Sequence, residues 1–143
     1  MSTTFDFGLG PVPAHQHVNG GGWVADSAQV ADSVYVELSA RVYGDARVYG
    51  NAWVSGDARV YGDAWVAGGA TIFKSSDYLL IGPIGSREAF MTWTRSDDCI
   101  ATGCFRGTVK EFLAAVHETH GDNEHAQAYR AAVKFIRAME KLT

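Results

Sequence analysis

Two turns in the second half of the chain carry the residues best suited to bind a negatively charged ligand. Gly85, Ser86 and Arg87 follow one another between two short apolar runs. This turn brings together backbone N–H groups, a hydroxyl and a guanidinium, which can hold two oxygens of one phosphate or carboxylate. The alternative is an ordinary hairpin turn with a solvated arginine.

The second turn reads Thr-His-Gly-Asp at residues 119–122, between two segments with helical periodicity. The start of the second helix offers free backbone N–H groups to an anion, which makes His120 and Asp122 candidate binding residues. The alternative is plain helix capping, because Gly commonly follows a helix and Asp commonly precedes one. We predict that Ser86, Arg87, His120 and Asp122 bind the ligand.

Other reactive side chains support weaker predictions. His15 and His17 would point the same way on an extended segment, but two imidazoles alone make a poor metal site. One helix end and its turn could gather a second group of ligands: His117, His120, Asp122 and His125. We predict no metal and no cofactor.

Two cysteines, Cys99 and Cys104, are expected to be reduced and half-buried, as in a reducing compartment. Cys104 could act as a nucleophile only with a base such as His120 in reach and with a lowered pKa. We therefore assign no catalytic residue.

A six-residue repeat determines the scaffold on which these turns are carried. An aliphatic residue returns at positions 18, 24, 30, 36, 42, 48, 54, 60, 66 and 72, and a small residue or valine follows four positions after most of them. This period is typical of a parallel β-helix, because neither an α-helix nor an isolated strand repeats every six residues. Three repeats make one triangular coil, so residues 18–71 predict three coils with residues 18 apart stacked at about 4.8 Å.

The same stacking predicts ladders on the outer wall of the coils. Three pairs are expected: Tyr35 under Trp53, Tyr43 under Tyr61, and Arg41 under Arg59. Exposed aromatic ladders favour a partner surface, so we predict that these six residues form an interface between copies of the chain. The alternative is that they only cover the wall and shield strand edges.

The segments on either side of the repeat predict different structures. Residues 1–17 are rich in glycine and proline and predict an irregular lead-in, whose Phe5 and Phe7 could cap the open end of the solenoid. The solenoid is expected over residues 18–77. Residues 78–143 predict a small α+β module.

Three β-type runs begin that module, at residues 78–84, 89–94 and 100–105. Thr108 and Glu111 form a capping box for a helix that Gly121 should end, and Asp122 or Asn123 should cap a second helix. We expect a three-stranded antiparallel sheet with two helices on one face.

The stretch VYGDARVYGNAWVSGDARVYGDAWVAGGA, residues 42–70, resembles the left-handed β-helix of the hexapeptide-repeat superfamily of bacterial transferases. The resemblance implies a left-handed solenoid and a homotrimer. Acyltransferases of the superfamily use a histidine base, and its γ-class carbonic anhydrases hold zinc with three histidines. Residues 18–78 contain no histidine, which argues against both enzymes.

Most of the chain also resembles hexapeptide-repeat proteins of phages and prophages. The segments that carry this resemblance are NGGGWV at 19–24, IGPIGSR at 81–87, GCFRGTVKEF at 103–112 and ETHGD at 118–122. It implies a counter-defence role in the cytoplasm of a bacterial host. The chain would either sequester a signalling nucleotide or bind a host defence protein.

Composition excludes further classes of function. The net charge of −4 argues against a nucleic-acid backbone as the main partner, and no apolar run approaches the roughly 18 residues that span a bilayer. The first ten residues lack the basic start and apolar stretch of a signal peptide. We predict a non-catalytic homotrimeric binding protein; the alternatives are a structural or trimerisation protein of phage assembly, a divergent acyltransferase, or a hydrolase that uses His120.

Overall fold

Short strands form at the apolar positions of the repeat, and longer elements follow on both sides. A computed structural model describes residues 3–103 and 105–142. Its strands are β1 (Thr4–Asp6), β2 (Pro11–Gln16), β3 (Trp23–Ala25), β4 (Gln29–Val30), β5 (Tyr35–Val36), β6 (Arg41–Val42), β7 (Arg47–Val48), β8 (Trp53–Val54), β9 (Arg59–Val60), β10 (Trp65–Val66), β11 (Thr71–Ile72), β12 (Tyr78–Ile84), β13 (Ala89–Thr94), β14 (Cys99–Thr102) and β15 (Phe105–Thr108). Its α-helices are α1 (Val109–His120) and α2 (Glu124–Glu140).

The nine strands from β3 to β11 stack in parallel on three sides of a solenoid. Their orders are β3-β6-β9, β4-β7-β10 and β5-β8-β11. Val24 pairs with Val42 and Val42 with Val60, and all three side chains are fully buried. The prediction that residues 18 apart stack along one inner wall is confirmed.

Val18 has the spacing of the repeat, but it does not enter the core and is 77% exposed. The chain runs along β5 at this point: the Val36 N–H donates to the Asn19 carbonyl at 3.0 Å, and the Val36 carbonyl accepts from the Gly22 N–H at 2.9 Å. Only glycine fits between them, because a Cβ on Gly20 would lie 2.3 Å from the Val36 carbonyl oxygen. The imidazole of His17 is buried here instead, with Nε2 2.7 Å from the carbonyl oxygen of Val34. The inward valines therefore begin at Val24.

The N-terminal segment forms a hairpin, and the prediction of an irregular lead-in is wrong. Strands β1 and β2 pair antiparallel, and β2 pairs antiparallel with β3, the first strand of the solenoid. Phe5 stacks on Trp23 at 4.8 Å and Phe7 on Tyr43 at 4.9 Å between ring centroids. The two phenylalanines cover the outer wall and not the open end, because β2 already occupies the free edge of β3.

The C-terminal module has four strands in the order β12-β13-β14-β15, one more than expected. Gly103, with a φ of +53°, ends β14, so that residues from Phe105 turn back and pair antiparallel with β14. Two helices pack against this sheet around fully buried Met91 and Trp93.

Both helices begin at side-chain caps. Thr108 and Glu111 form the expected capping box at α1, and Gly121 ends that helix with a φ of +60°. Asn123, and not Asp122, caps α2 by accepting a hydrogen bond from the N–H of Ala126 at 3.0 Å. Asp122 therefore does not cap either helix.

The module, together with Ser75 in the segment that leads into it, closes the C-terminal end of the solenoid of its own chain. Within the coils, a backbone N–H such as that of Arg41 donates to the next coil, at the carbonyl of Ala58. The last coil has no next coil, and side-chain hydroxyls accept from its N–H groups instead: Arg59 donates to Ser75 (3.1 Å), Trp65 to Thr92 (2.8 Å) and Thr71 to Ser96 (2.8 Å). Each of the three sides therefore has its own cap.

Asp98 ties the sheet to α2 and gives the module an acid-sensitive contact. Its carboxylate accepts hydrogen bonds from Nε1 of Trp93 at 2.9 Å and from both terminal nitrogens of Arg137 at 2.8 and 3.0 Å. Burial raises the pKa of this carboxyl, but these hydrogen bonds outweigh burial and leave the pKa below its ordinary value.

This contact predicts a loss of stability in acid. A carboxyl with a lowered pKa in the folded chain stabilises it fully above the unfolded pKa of about 4, and less as the pH falls through the folded pKa. Urea unfolding of the wild type at about pH 7 and about pH 3 should show a larger fall in free energy than the same pair of measurements on Asp98→Asn. Equal falls would contradict the assignment.

Candidate ligand-binding cleft

A cleft of about 380 Å³ opens in the C-terminal module between two sheet turns and the two helices. The turn between β12 and β13, the turn between β14 and β15, α1 and the first part of α2 all contribute side chains. Clefts that hold small organic molecules have volumes from about 300 Å³ upward. The cleft is therefore large enough for a ligand the size of a mononucleotide.

The structure brings three of the four predicted ligand-binding residues together. Ser86 and Arg87 line one side of the cleft and His120 lines another, although the two turns are distant in the sequence. Asp122 does not line it; its carboxylate pairs with Arg130 at 2.9 Å and its side chain is 85% exposed. The two turns predicted separately thus belong to one candidate site.

Aromatic rings that the sequence did not single out make up much of the lining. The ring of Phe112 meets those of Phe105 and Tyr129 edge to face, at 5.5 and 5.4 Å between centroids. The imidazole of His120 lies 5.9 Å from the Tyr129 ring and 5.6 Å from that of His125. Phe112 and Tyr129 lie on the apolar faces of their helices, and nothing in the sequence separates a core ring from a ring at the edge of a cleft.

Gly85 sets the distance between the first turn and α2. Its φ is +81°, and a Cβ at this position would lie 1.8 Å from the hydroxyl oxygen of Tyr129. Only glycine allows so close an approach in this conformation. The turn that carries Ser86 and Arg87 therefore packs directly against the side chain of Tyr129.

The charge of the cleft is opposite in sign to that of the whole chain. Among the described residues that line the cleft, Arg87 is the one side chain with a permanent charge, and none is Asp or Glu. Within the part of the chain that the structure describes, Arg87 makes no ion pair. An exposed guanidinium that makes no ion pair is available to an anion.

The side chains considered as metal ligands have other contacts or lie apart. His15 pairs with Asp26 at 2.7 Å, and His17 faces the Val34 carbonyl. Among residues 3–103 and 105–142, no three His, Cys, Asp or Glu side chains form a group that could hold a metal ion. Cys104 lies outside the described residues. Burial raises the pKa of the Cys99 thiol, which does not line the cleft.

The aromatic ladders on the outer wall form as predicted. Tyr43 and Tyr61 stack at 5.3 Å between ring centroids, and the rings of Tyr35 and Trp53 lie 4.2 Å apart. Arg41 and Arg59 pair in register on β6 and β9.

Part of this wall is covered by the chain itself. The N-terminal hairpin places Phe7 on Tyr43, and the guanidinium of Arg41 lies over the ring of Phe5 at 4.8 Å. Trp53 and Tyr61 remain 49% and 47% exposed. An interface between copies stays a prediction.

The fold defines the class of the protein: a three-sided β-solenoid that carries an α+β module at its C-terminal end. The family model described as the YdcK beta solenoid repeat matches residues 40–56 and 52–68, which lie within the coils. No curated protein and no solved structure matches the chain significantly. None of the helices described is both long and apolar enough to cross a membrane.

Proposed function

We propose that this chain is a ligand-binding protein that holds a small, planar organic anion in the cleft of its C-terminal module. The observation that carries the proposal is the lining: an unpaired Arg87 and several aromatic rings, without a carboxylate, in a chain of net charge −4. A guanidinium recognises phosphate or carboxylate in two-point contacts. The solenoid acts as the rigid scaffold that supports the module.

The two parts of the ligand would meet different parts of the cleft. Phe105 and Tyr129, which are partly buried, offer ring faces and edges to a flat apolar body, and the buried ring of Phe112 supports both from behind. Arg87 and the hydroxyl of Ser86 offer charge-assisted and directional hydrogen bonds to the acidic group. A nucleotide, with a planar base and a phosphate, belongs to this ligand class.

The proposed action is capture without conversion. Among the described residues that line the cleft, none is Asp or Glu, so no lining carboxylate orients His120 as a general base. Capture of a signalling nucleotide in a phage-infected bacterium, which the sequence resemblance implies, is one form of this function.

We also propose that the solenoid is a left-handed β-helix of the hexapeptide-repeat superfamily and that its copies form a trimer. The six-residue period supports this assignment, as does the match of two solenoid repeats to residues 40–68. The half-exposed Trp53 and Tyr61 support a contact between copies on the upper part of the wall.

Calorimetric titration with a fixed panel of probes tests the binding function: adenosine monophosphate, a cyclic dinucleotide and indole-3-acetate. Arg87→Ala should weaken the best panel ligand about tenfold to a hundredfold, as expected for lost hydrogen bonds to a charged group. Lys110→Ala is the matched control, because Lys110 is exposed on α1, outside the cleft, and its removal changes the net charge equally.

The ligand should also be recovered unchanged after release from the protein. The proposal fails if no panel member binds, or if Lys110→Ala weakens binding as much as Arg87→Ala does. Conversion of the bound ligand would replace capture by catalysis.

A further inference from the structure

Helix α2 has two apolar faces on opposite sides. One face packs on the sheet and α1, and its buried residues are Ala126, Ala132, Val133 and Ile136. The opposite face is exposed and carries a row of apolar residues, here called the α2 stripe: Ala128, Ala131, Phe135 and Ala138, with Leu142 just beyond the helix. Packing within the described chain accounts for the first face only.

The spacing and the exposure of the α2 stripe are those of a helix that pairs with another helix. Successive members are alternately three and four residues apart, which is the spacing of the contact seam in a coiled coil. Phe135 is 50% exposed and Leu142 is 67% exposed. Ala128 and Ala131 precede Phe135, and Ala138 lies between Phe135 and Leu142. These three small side chains would let a second helix approach closely.

We propose that the α2 stripe pairs antiparallel with the α2 stripe of a second copy of this chain. The charges on the helix favour this direction, because Glu124 begins α2 while three cations outnumber one carboxylate towards its end: Lys134, Arg137 and Lys141 against Glu140. Antiparallel pairing places Glu124 of one copy beside Lys141 of the other, and the two helix dipoles also oppose each other favourably. Parallel pairing would place Lys141 of one chain beside Lys141 of the other, and the two positive charges would repel each other.

The shapes along the stripe fit the same arrangement. A two-fold axis midway between Ala131 and Phe135 places Phe135 of one copy against Ala131 of the other, and Ala128 against Ala138. Each large ring then meets a small residue, as close packing requires. The contact is self-complementary, which is the condition for a closed dimer with two-fold symmetry.

This surface is separate from the wall around Trp53 and from the ligand cleft. The α2 stripe lies on the exposed side of α2, whereas Tyr129 of the same helix lines the cleft. The inference therefore does not depend on the proposed ligand.

Sedimentation equilibrium over a series of protein concentrations tests the pairing. The average mass of the wild type should rise with concentration as pairs form through the α2 stripe. Ala131→Glu should abolish this rise, because it would place two carboxylates in the contact between the two stripes. Ala114→Glu is the matched control, since Ala114 is an exposed alanine on α1. The inference is overturned if Ala114→Glu has the same effect, or if Trp53→Ser lowers the mass and Ala131→Glu does not.

Disulfide cross-linking tests the direction of pairing. A mixture of Ala128→Cys chains and Ala138→Cys chains should form mixed disulfide dimers above the background of the unsubstituted chain. Each variant alone should not, because ten helical residues, about 15 Å, would separate the two copies of the same position. Equal cross-linking in the single variants would overturn the antiparallel arrangement.

Discussion

Ala58→Leu is expected to lower the free energy of unfolding by about 3 kcal/mol, at the upper end of the range for overpacked cores. Ala58 is fully buried inside the solenoid, and its neighbours Val42 and Val60 are fully buried as well. Strands on three sides enclose this interior, so the backbone cannot move outward at one side without disturbing the pairing of the coils above and below. Urea denaturation gives the change.

Ala114→Leu is the matched control for that substitution. It adds the same atoms to an alanine that is exposed on α1, where changes in stability typically remain within about 0.5 kcal/mol. If the two leucine variants lost the same stability, the small residues of the repeat would not be filling a narrow interior.

Thr92→Val is expected to cost about 1–3 kcal/mol, because it leaves a partly buried backbone donor without an acceptor. The hydroxyl of Thr92 accepts the N–H of Trp65 from the last coil at 2.8 Å, and Thr92 is 2% exposed. Valine has the same shape but accepts no hydrogen bond. Hydrogen exchange at the Trp65 amide should quicken in the same variant.

Ser96→Ala is the matched control for this cap. Ser96 caps the N–H of Thr71 in the same way, but that hydrogen bond is exposed, and water can replace the lost hydroxyl. Ser96→Ala should therefore cost clearly less than Thr92→Val. Equal costs in the two variants would contradict the view that the module shields the Trp65 N–H from water.

The coils could be predicted from the sequence because each side of the solenoid follows a local rule. One inward valine and one small residue recur in every six positions, and the stacking of residues 18 apart follows from that period alone. The register of Val24, Val42 and Val60 and the aromatic ladders needed no knowledge of distant contacts.

The N-terminal hairpin was missed because its two prolines argued against a strand. Pro11 and Pro13 stand at alternate positions of β2, so their missing N–H groups lie on one side of it. Ala14, in the same strand, donates its N–H to the carbonyl of Thr3 on the side of β1. The nitrogens of the two prolines therefore lie on the opposite side of β2. Proline is tolerated in a strand where no partner needs its N–H.

The cleft could be predicted only in pieces. Ser86, Arg87 and His120 could each be recognised as candidate binding residues in turns. That they lie around one cleft depends on how the sheet packs against the helices, and no local sequence pattern predicts this packing. Asp122 was indistinguishable from Asn123 as a cap, because both residue types serve that position.

Mapping of backbone amide shifts by NMR tests most directly whether the function lies in the cleft of the module. The wild type is titrated with the panel member that binds most tightly. We expect the largest shifts at residues 86–87, 102–103, 119–120 and 129, and small ones along the coils. Shifts centred on the outer wall around Trp53 and Tyr61, or no shifts with any panel member, would contradict the account.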